Sequence, residues 1–419
     1  MEMTDEAAKQ SDGLPLGFKW GAVRAGIKAS GSLDLAVAVV PGGGRAAACY
    51  TRNQVVAAPV TVGRHHLAST GGRVSAVLVN AGNANCATGE AGLEACRTTC
   101  VAAAENLGCI FDEVFPSSTG IIGVPLPTDK IVAALPALRA SLGDTPAHAV
   151  NFATAIMTTD TKLKVARAVV EVDGVGVQIF GVAKGAGMIA PDLGVPVATQ
   201  PFAPAHATML VYLFTDLKAE TEDLRALLAP AVERSFNSIS IDGDTSTNDT
   251  VLLLASGASG IPTSDRVNEA FRSALSLVCG SLAHQIVADG EGVTHVVTLH
   301  VTGAETEADA RQVARTIANS PLCKTAWSSG DPNWGRLLAA AGRSGITIEL
   351  DRLSIAIGDV LVFENGMRAV GFDQVEAHAA MREREYTITI DLGAGKAECR
   401  FVTCDLTAEY VRINADYST

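Results

Sequence analysis

The sequence has few aromatic and charged residues and no long hydrophobic run. Aromatic residues make up 5% of the 419 residues and charged residues 18%, whereas 48% are hydrophobic and 40 are glycine. A membrane-spanning helix needs about 20 consecutive apolar residues, and the apolar runs, such as those within residues 75–79 and 250–255, are far shorter. The composition argues against a membrane-spanning or disordered chain. It predicts two or three domain-sized units of α/β or α+β type, layered from small side chains.

Positive charge is also scarce. The chain has 32 Lys and Arg residues against 45 Asp and Glu residues, a net charge of -13, and no cluster of basic residues. Such a surface repels phosphate backbones and anionic membranes, so nucleic acid and lipid are not expected as partners. Residues 1–13 carry acids and no apolar core of the kind a secretory signal has. We therefore expect a cytoplasmic protein.

The residues that commonly bind metals show no ligand spacing. The nine cysteines include no C-x-x-C pair, and the eight histidines include one close pair, His65 and His66, which are adjacent and so diverge. In a reducing compartment the cysteines are expected to be free thiols used as small buried residues. The sequence predicts neither a metal nor an organic cofactor.

Secondary-structure patterns alternate irregularly along the chain. An Asp-Gly turn between residues 165–172 and 175–181 predicts a hairpin, and the continuous apolar run 209–214 predicts a central strand. Helices are expected over residues 92–107, 129–142, 265–288 and 221–235, the last of these capped by Thr221. This irregular alternation favours a layered α/β fold with mixed sheets over a doubly wound nucleotide-binding fold.

Three segments depart from these patterns. Residues 41–45 (PGGGR) predict a turn, and residues 192–204, with three prolines, predict a surface loop or linker. Residues 242–250 alternate acids and hydroxyls as a calcium loop does, but Thr247 and Leu253 occupy the positions of the required glycine and acid. This segment is instead predicted to hold a turn beside a functional site through hydrogen bonds to the backbone.

Three local features carry possible chemistry. Residues 115–123 (FPSSTGIIG) can direct a hydroxyl and a backbone N–H at one point, as an oxyanion hole requires. Lys184 precedes Gly-Ala-Gly, which would let backbone approach a ligand, and Thr208 opens an apolar strand. Each feature alone has an ordinary alternative: a common turn, a solvated lysine, and a threonine that merely favours β-structure.

Taken together, the motifs match one family. They are NAGNANCATGEAG (80–92), SSTGIIG (117–123), IMTTDT (156–161), KGAGMIAP (184–191), ATML (207–210), FNSISIDGDTSTNDT (236–250), VADGEG (287–292) and DPNWGR (331–336). In this order, and from residue 17 to residue 417, the sequence resembles the ornithine acetyltransferases of arginine biosynthesis, which are also glutamate N-acetyltransferases.

The resemblance implies an N-terminal-nucleophile-like α/β fold in a chain that cuts itself between Ala207 and Thr208. The products would be an α chain of residues 1–207 and a β chain of residues 208–419, assembled as an α2β2 heterotetramer. Cleavage would give Thr208 a free α-amino group with a pKa of about 7.7–8.0, so nucleophile and base would belong to one residue.

The resemblance also implies roles for individual residues. Thr119 and Gly120 match the oxyanion-hole pair. Lys184 suits a substrate carboxylate and Glu291 its ammonium group. The family's substrate-binding positions correspond to six residues: Thr161, Lys184, Thr208, Glu291, Asn414 and Thr419.

The implied reaction is ping-pong acetyl transfer. N2-acetyl-L-ornithine acylates Thr208 and ornithine leaves, and L-glutamate then takes the acetyl group. No cofactor is implied, and the partners are small-molecule substrates. Whether acetyl-CoA also serves as a donor stays open at this point.

The chain departs from the family between Lys184 and Thr208, where the Pro-rich segment 192–204 is extra. Because loop insertions cost little stability when their ends stay close, an exposed loop is expected here. The segment contains a rival cleavage site before Thr199, but Gln-Pro-Phe follows that threonine and proline disfavours a central strand. His206, next to the expected cut, is either a base for the cleavage or a bystander.

Two other functions compete with acetyl transfer. The first is a self-processing N-terminal-nucleophile amidase or aminopeptidase, in which water takes the acyl group. The second is an uncleaved relative that only binds a ligand.

Overall fold

The structure, a computed structural model, describes residues 13–195 and 209–416. In this part of the chain sixteen β-strands and eleven α-helices form a layered α/β fold with two mixed sheets. The predicted fold class is therefore confirmed. The same residues contain no helix that is both long and apolar enough to cross a membrane.

The first sheet contains nine strands among the described residues. They are β1 (Lys19–Val23), β2 (Leu35–Thr51), β3 (Arg73–Asn83), β4 (Val114–Ile121), β5 (Lys164–Val172), β6 (Val175–Lys184), β7 (Leu193–Gly194), β8 (Leu210–Thr215) and β10 (Thr250–Ala255). Their order is β4-β3-β2-β10-β8-β6-β5, and β1 and β7 both pair with β2. β8 runs parallel to β10 and antiparallel to β6.

The apolar run of β8 is continuous because both faces of this strand are covered. Val211 and Leu213 point into a core that includes α5 (Thr221–Arg234) and α6 (Asp265–Ala288). Tyr212 and Phe214 point the other way, into an aromatic core of the same sheet. All four side chains are fully buried, so the predicted central strand is confirmed.

The second sheet has seven strands in the described part of the chain. They are β9 (Ile239–Ser240), β11 (Val296–Ala304), β12 (Ser354–Ile357), β13 (Val360–Glu364), β14 (Met367–Arg368), β15 (Glu385–Asp391) and β16 (Ala397–Cys404). The helices packed into its apolar core are α7 (Glu307–Ala318), α8 (Pro321–Ser328) and α9 (Trp334–Gly342). α6 contacts strands of both sheets and connects the two layers.

Six further helices complete the described chain. They are α1 (Ala58–Ser69), α2 (Gly89–Leu107), α3 (Thr128–Ala140), α4 (Pro146–Ala155), α10 (Gln374–Ala380) and α11 (Ala408–Asp416). α1 to α4 cover the part of the first sheet formed by β1 to β4. α11 contacts the loops that follow β9 and α6, through Tyr410 with Asp242 and Asn414 with Glu291, and this contact matters for the site.

The predicted helix over residues 265–288 and the hairpin of β5 and β6 are confirmed. The predicted turn at residues 41–45 is wrong, since these residues lie within β2 and the register against β3 shifts between Val39 and Gly44. The cap predicted for α5 is also wrong. Glu220 caps this helix, in a reciprocal pair of hydrogen bonds with Asp223.

The first residues of segment 192–204 do not form a surface loop. β7 pairs with β2, with Gly194 opposite Tyr50, and the side chain of Leu193 is buried. The loop prediction is therefore wrong for this end of the segment. Residues 196–204 lie outside the described part of the chain.

Candidate active site

The site residues meet at one end of the first sheet. Thr119 and Gly120 lie at the carboxyl end of β4, and Lys184 is the last residue of β6. The Lys184 Nζ donates a hydrogen bond to the Thr119 hydroxyl at 3.2 Å. Lys184 is also paired in register with Leu210, at the start of β8. Three strands thus bring the predicted oxyanion pair, the predicted cation and the start of β8 together.

Backbone contacts fix the conformation of the Thr119–Gly120 pair. Gly120 lies opposite Gly82 of β3 and has a φ of 128°, where a Cβ atom would collide with the Gly82 backbone. The Asn248 amide donates to the carbonyl oxygens of Ser118 at 2.9 Å and Ala84 at 2.8 Å. The pair therefore lies at an anchored strand end, and not in a turn between two elements as predicted.

Lys184 is buried, with 3% of its surface exposed. Its Nζ also donates to the Thr158 hydroxyl at 2.8 Å and lies 3.9 Å from Asp160 Oδ2. Burial lowers the pKa of this ammonium group, and the negative charge of Asp160 opposes that change. The alternative of a solvated lysine is thereby wrong.

A buried ionic cluster lies beside Lys184. Asp160 Oδ1 accepts hydrogen bonds from Lys164 Nζ at 2.7 Å and from the Gly185 amide at 2.6 Å, and Lys164 reaches Asp289 Oδ2 at 2.5 Å. Burial raises the pKa of Asp160, but Lys184, Lys164 and the Gly185 N–H outweigh burial and lower this pKa to about 2. The Asp160 carboxylate therefore stays charged and holds the turn after β6.

Thr161 is held by the same cluster. Its amide N–H donates to Asp289 Oδ2 at 3.0 Å, and its hydroxyl donates to Asp289 Oδ1. The Thr161 side chain is exposed while Asp289 is buried. Asp289 thus presents Thr161 at the mouth of the site.

Glu291, in the loop after α6, faces Asn414 of α11. The Asn414 amide donates to Glu291 Oε2 at 2.9 Å, and the Glu291 amide N–H donates to the Ala186 carbonyl at 2.9 Å. Gly187 leaves the space for this carboxylate, since a Cβ there would lie 2.6 Å from Glu291 Oε2. The Glu291 carboxylate is therefore next to the turn that follows Lys184.

The Asp/Thr-rich segment holds the neighbouring backbone, as predicted. Asp242 accepts hydrogen bonds from the amides of Met188 at 2.5 Å and Ile189 at 2.9 Å. Asp249 accepts one from the Met209 amide at 2.6 Å. Burial raises the pKa of Asp249 to about 7, against the opposing effects of the Met209 N–H, Ser246 and Lys184.

A family model described as the ArgJ family matches residues 19–419. The chain belongs to the ArgJ family. It is 46% identical over 409 residues to the Arginine biosynthesis bifunctional protein ArgJ of Thermus thermophilus, covering 97% of this chain and 99% of that protein. The protein of the same name from Ruegeria pomeroyi is 42% identical over 401 residues, covering 96% and 94% of the two chains.

A solved structure is also similar. The crystal structure of the Arginine biosynthesis bifunctional protein argJ from Bacillus halodurans shares 38% sequence identity with a TM-score of 0.48. The match covers 49% of this chain and 98% of the Bacillus halodurans chain.

Of the site residues predicted for this ArgJ chain, five lie together in the described part: Thr119, Gly120, Lys184, Glu291 and Asn414. Thr161 joins them through Asp289, as described above. Ala207, Thr208 and Thr419 lie outside the described residues, as do Thr199 and His206.

Sequence reasoning missed three charged residues of the site: Asp160, Lys164 and Asp289. Asp160 and Asp289 lie inside motifs that carried the resemblance, and Lys164 follows one of those motifs closely. The available signal was clearest for Asp160, the one charged residue among apolar and hydroxyl residues in IMTTDT (156–161). Such residues are seldom fully buried without a partner, so each required a partner elsewhere in the chain.

The cysteines are free in the described structure and all but Cys109 are buried, which confirms their predicted use as buried thiols. Across residues 13–195 and 209–416, no three His, Cys, Asp or Glu side chains cluster as ligands of a metal ion.

Proposed function

We propose that this enzyme of arginine biosynthesis transfers an acetyl group from N2-acetyl-L-ornithine to L-glutamate. The products are L-ornithine and N-acetyl-L-glutamate. Membership of the ArgJ family and relatives named for arginine biosynthesis support this assignment. It is an acyltransferase, and its substrates are small molecules.

One observation carries the proposal at the level of geometry: the 3.2 Å contact between Lys184 Nζ and the Thr119 hydroxyl. It places a cation suited to an amino-acid carboxylate beside donors suited to a carbonyl oxygen. An acetylated amino acid carries both groups, separated only by its Cα and amide nitrogen. The contact therefore fits the substrate end that the two acetyl compounds share.

The chemistry follows from a threonine at the start of β8. The Thr208 hydroxyl attacks the acetyl carbonyl carbon, and its own α-amino group takes the hydroxyl proton. Thr119 and Gly120 donate hydrogen bonds to the oxyanion that forms, and each such donor contributes about 2.7–4 kcal/mol to the transition state. Ornithine leaves. The amine of glutamate then attacks the carbonyl carbon of acetyl-Thr208, which forms N-acetyl-L-glutamate and releases the threonine hydroxyl.

The other residues bind the parts of the substrates that do not react. Lys184 binds the α-carboxylate, and Glu291 binds the side-chain ammonium group of ornithine. Thr161, Asn414 and Thr419 complete the substrate pocket. The hydrogen bond from Asn414 to Glu291 supports this arrangement because it orients the carboxylate.

Self-cleavage between Ala207 and Thr208 gives an α chain of residues 1–207 and a β chain of residues 208–419, which stay together. The pairing of the first sheet supports this, because β8 and β10 of the later half lie between β6 and β2 of the earlier half. Two such pairs form a cytoplasmic α2β2 heterotetramer.

Acetyl-CoA serves as a second acetyl donor. The relatives are named bifunctional, which supports a second donor. The acetyl-Thr208 intermediate would then form from either acetylornithine or acetyl-CoA. Acetyl-CoA would then start the pathway that acetylornithine otherwise recycles.

The test is to purify the wild-type protein and Thr208→Ala and to measure intact masses and acetyl transfer. The wild type should give two fragments and form N-acetyl-L-glutamate from acetylornithine only when glutamate is present. Thr208→Ala should remain one chain of 43.2 kDa without activity. Release of free acetate at a rate that glutamate does not change would instead identify an amidase, and an uncleaved wild type without turnover would indicate a binding protein.

A further inference from the structure

The proposed function leaves the self-cleavage step without a base. In acetyl transfer the α-amino group of Thr208 takes the proton, but in the uncut chain that nitrogen is part of a peptide bond and is not basic. A hydroxyl is a weak nucleophile at neutral pH and needs a neighbouring base. The uncut chain must therefore supply this base from another residue.

Asp249 is hydrogen-bonded to Met209, the residue that follows Thr208. Its Oδ1 accepts the hydrogen bond of the Met209 amide at 2.6 Å, and Met209 is fully buried. The Met209 nitrogen is covalently bonded to the carbonyl carbon of Thr208. Only that carbon and the Cα and Cβ atoms of Thr208 lie between the nitrogen and the Thr208 hydroxyl, so Asp249 accepts its hydrogen bond from a nitrogen that is separated from this hydroxyl by three atoms of the chain.

Ser246 and the Met209 amide both interact with this carboxyl group. Asp249 is completely buried, and within the described residues its Oδ2 accepts no hydrogen bond of good geometry. A buried carboxylate oxygen without a donor is costly. A hydroxyl from the residue before Met209 would satisfy it.

We propose that Asp249 is the base of the self-cleavage, with Oδ2 taking the proton of the Thr208 hydroxyl as its oxygen attacks the Ala207 carbonyl carbon. This inference rests on the proposed function, because it assigns a residue to the cut that produces the nucleophile.

The proposed steps balance in atoms and protons. The bond from the Ala207 carbonyl carbon to the Thr208 oxygen forms, the bond from that carbon to the Thr208 nitrogen breaks, and Asp249 returns the proton to the departing nitrogen. An ester and a free amine result. Water then attacks the ester carbon, which gives the Ala207 carboxylate and restores the Thr208 hydroxyl.

The electrostatics of the site suit this role. A general base works best when its pKa is near the working pH, and burial raises the pKa of Asp249 to about 7. The charged group facing it is Lys184 of β6, which opposes this rise. The groups around Lys184 are Asp160, Lys164 and Glu291.

The test follows cleavage of the full-length chain during timed cell-free synthesis, with bands resolved on a denaturing gel. Asp249→Asn retains an acceptor for the Met209 amide but cannot take a proton, so it should cleave at least about 100-fold more slowly than the wild type. The matched control is Asp216→Asn. Asp216 is also fully buried, follows the far end of β8 and accepts the amides of Leu16 and Gln178, so this variant should cleave at the wild-type rate.

Two further measurements separate a chemical role from a folding defect. The cleavage rate of the folded wild type should rise with pH and reach half its maximum near pH 7, and a flat profile between about pH 5.5 and 8.5 would overturn the proposal. Hydroxylamine, which cuts esters, should not release the β chain from Asp249→Asn, because no ester forms without the base. Rapid release would show that Asp249 acts after the ester and would overturn the assignment.

Two outcomes identify where the error lies. If Asp249→Asn cleaves as fast as Asp216→Asn while Thr208→Ala stays intact, Asp249 is not the base but the proposed function stands. If Thr208→Ala is itself cut at residue 208, the proposed nucleophile is wrong, and so is the function built on it.

Discussion

The two sheets differ in what they bury. The first sheet buries charged groups at one end, where Lys184 and the Asp160–Lys164–Asp289 cluster surround the strand ends. The second sheet and its helices enclose an apolar core, with one buried lysine, Lys324, bonded to β16. Burying a charge is costly even when it is paired, so the first sheet retains at its end an arrangement that stability alone would not favour.

The second sheet contributes by holding loops. Asp405, just after β16, accepts the amides of Thr294 and His295 at 3.0 Å, which fixes the chain between Glu291 and β11. α11, which carries Asn414, also follows β16. One sheet therefore carries the groups proposed to react, while the other positions Glu291, the acid proposed to bind the substrate. Matched substitutions in the two regions should therefore separate activity from stability.

The largest effect is expected from paired glycine substitutions. Gly120→Ala forces a methyl group against the Gly82 backbone and displaces an oxyanion donor, so kcat of the cleaved enzyme should fall by about 10²–10³. Gly342→Ala, at an open position in α9 of the second region, should leave kcat unchanged and raise stability by up to about 1 kcal/mol. Steady-state kinetics and urea unfolding measure both. Equal kcat in the two variants would contradict the oxyanion role.

The two buried lysines give the next contrast. Lys184→Met should lower kcat/KM for acetylornithine by about 100-fold or more, because the substrate carboxylate loses a buried partner. Lys324 lies in α8, and its side chain donates to two residues of β16: the Thr403 hydroxyl at 3.2 Å and the Cys404 carbonyl. Lys324→Met should cost about 1–3 kcal/mol of stability and leave kcat/KM within about twofold. The distinction fails if Lys324→Met reduces kcat/KM as much as Lys184→Met does.

A smaller effect is expected from the buried acids. Asp289→Asn weakens the support of Thr161 and the pairing of Lys164, so KM should rise by about 10-fold with little change in kcat, consistent with a loss of roughly 1.4 kcal/mol in binding. Asp405 holds the chain after Glu291 through the amides of Thr294 and His295, so Asp405→Asn should lower the unfolding midpoint and raise KM by less than Asp289→Asn does. A KM change in Asp405→Asn alone would reverse the roles assigned to the two sheets.

The smallest effect concerns pH. The folded pKa of Asp160 is about 2, below its usual value of 3.8, so this carboxylate contributes stability that is present above about pH 4 and lost as pH falls towards 2. The wild type should therefore be more stable than Asp160→Asn at neutral pH, and the gap should close between about pH 4 and pH 2. Urea unfolding at a series of pH values checks this. A gap that stays constant would show that the ionic form of Asp160 is not what stabilises the cluster.

The parts of the fold predicted correctly from sequence are those with local signals. α6 and the hairpin of β5 and β6 show clear periodicity and an Asp-Gly turn. The Gly-rich stretch within β2 was misassigned because its ladder is set by partners far along the chain: Ala46 to Tyr50 pair with β10 while the register against β3 shifts. A local pattern contains no information about a partner strand about 200 residues away.

The candidate site was predicted in the same uneven way. Thr119, Gly120 and Lys184 came from matching motifs, and the structure brings them together. The Asp160–Lys164–Asp289 cluster was missed because Lys164 and Asp289 are 125 residues apart and neither belongs to a short motif of known chemistry. These charged residues belong to the site because the fold buries them together. A sequence does not show which charged residues the fold will bury.

For the proposed self-cleavage, the position of β8 between β6 and β10 would also determine when the protein can mature during synthesis. A nascent chain that has just delivered residue 208 lacks the neighbour strand and the carboxylate 40 residues further on that anchors Met209. Unfinished polypeptides would thus remain uncut. Cleavage would therefore begin only after the ribosome has translated well into the second half of the coding sequence.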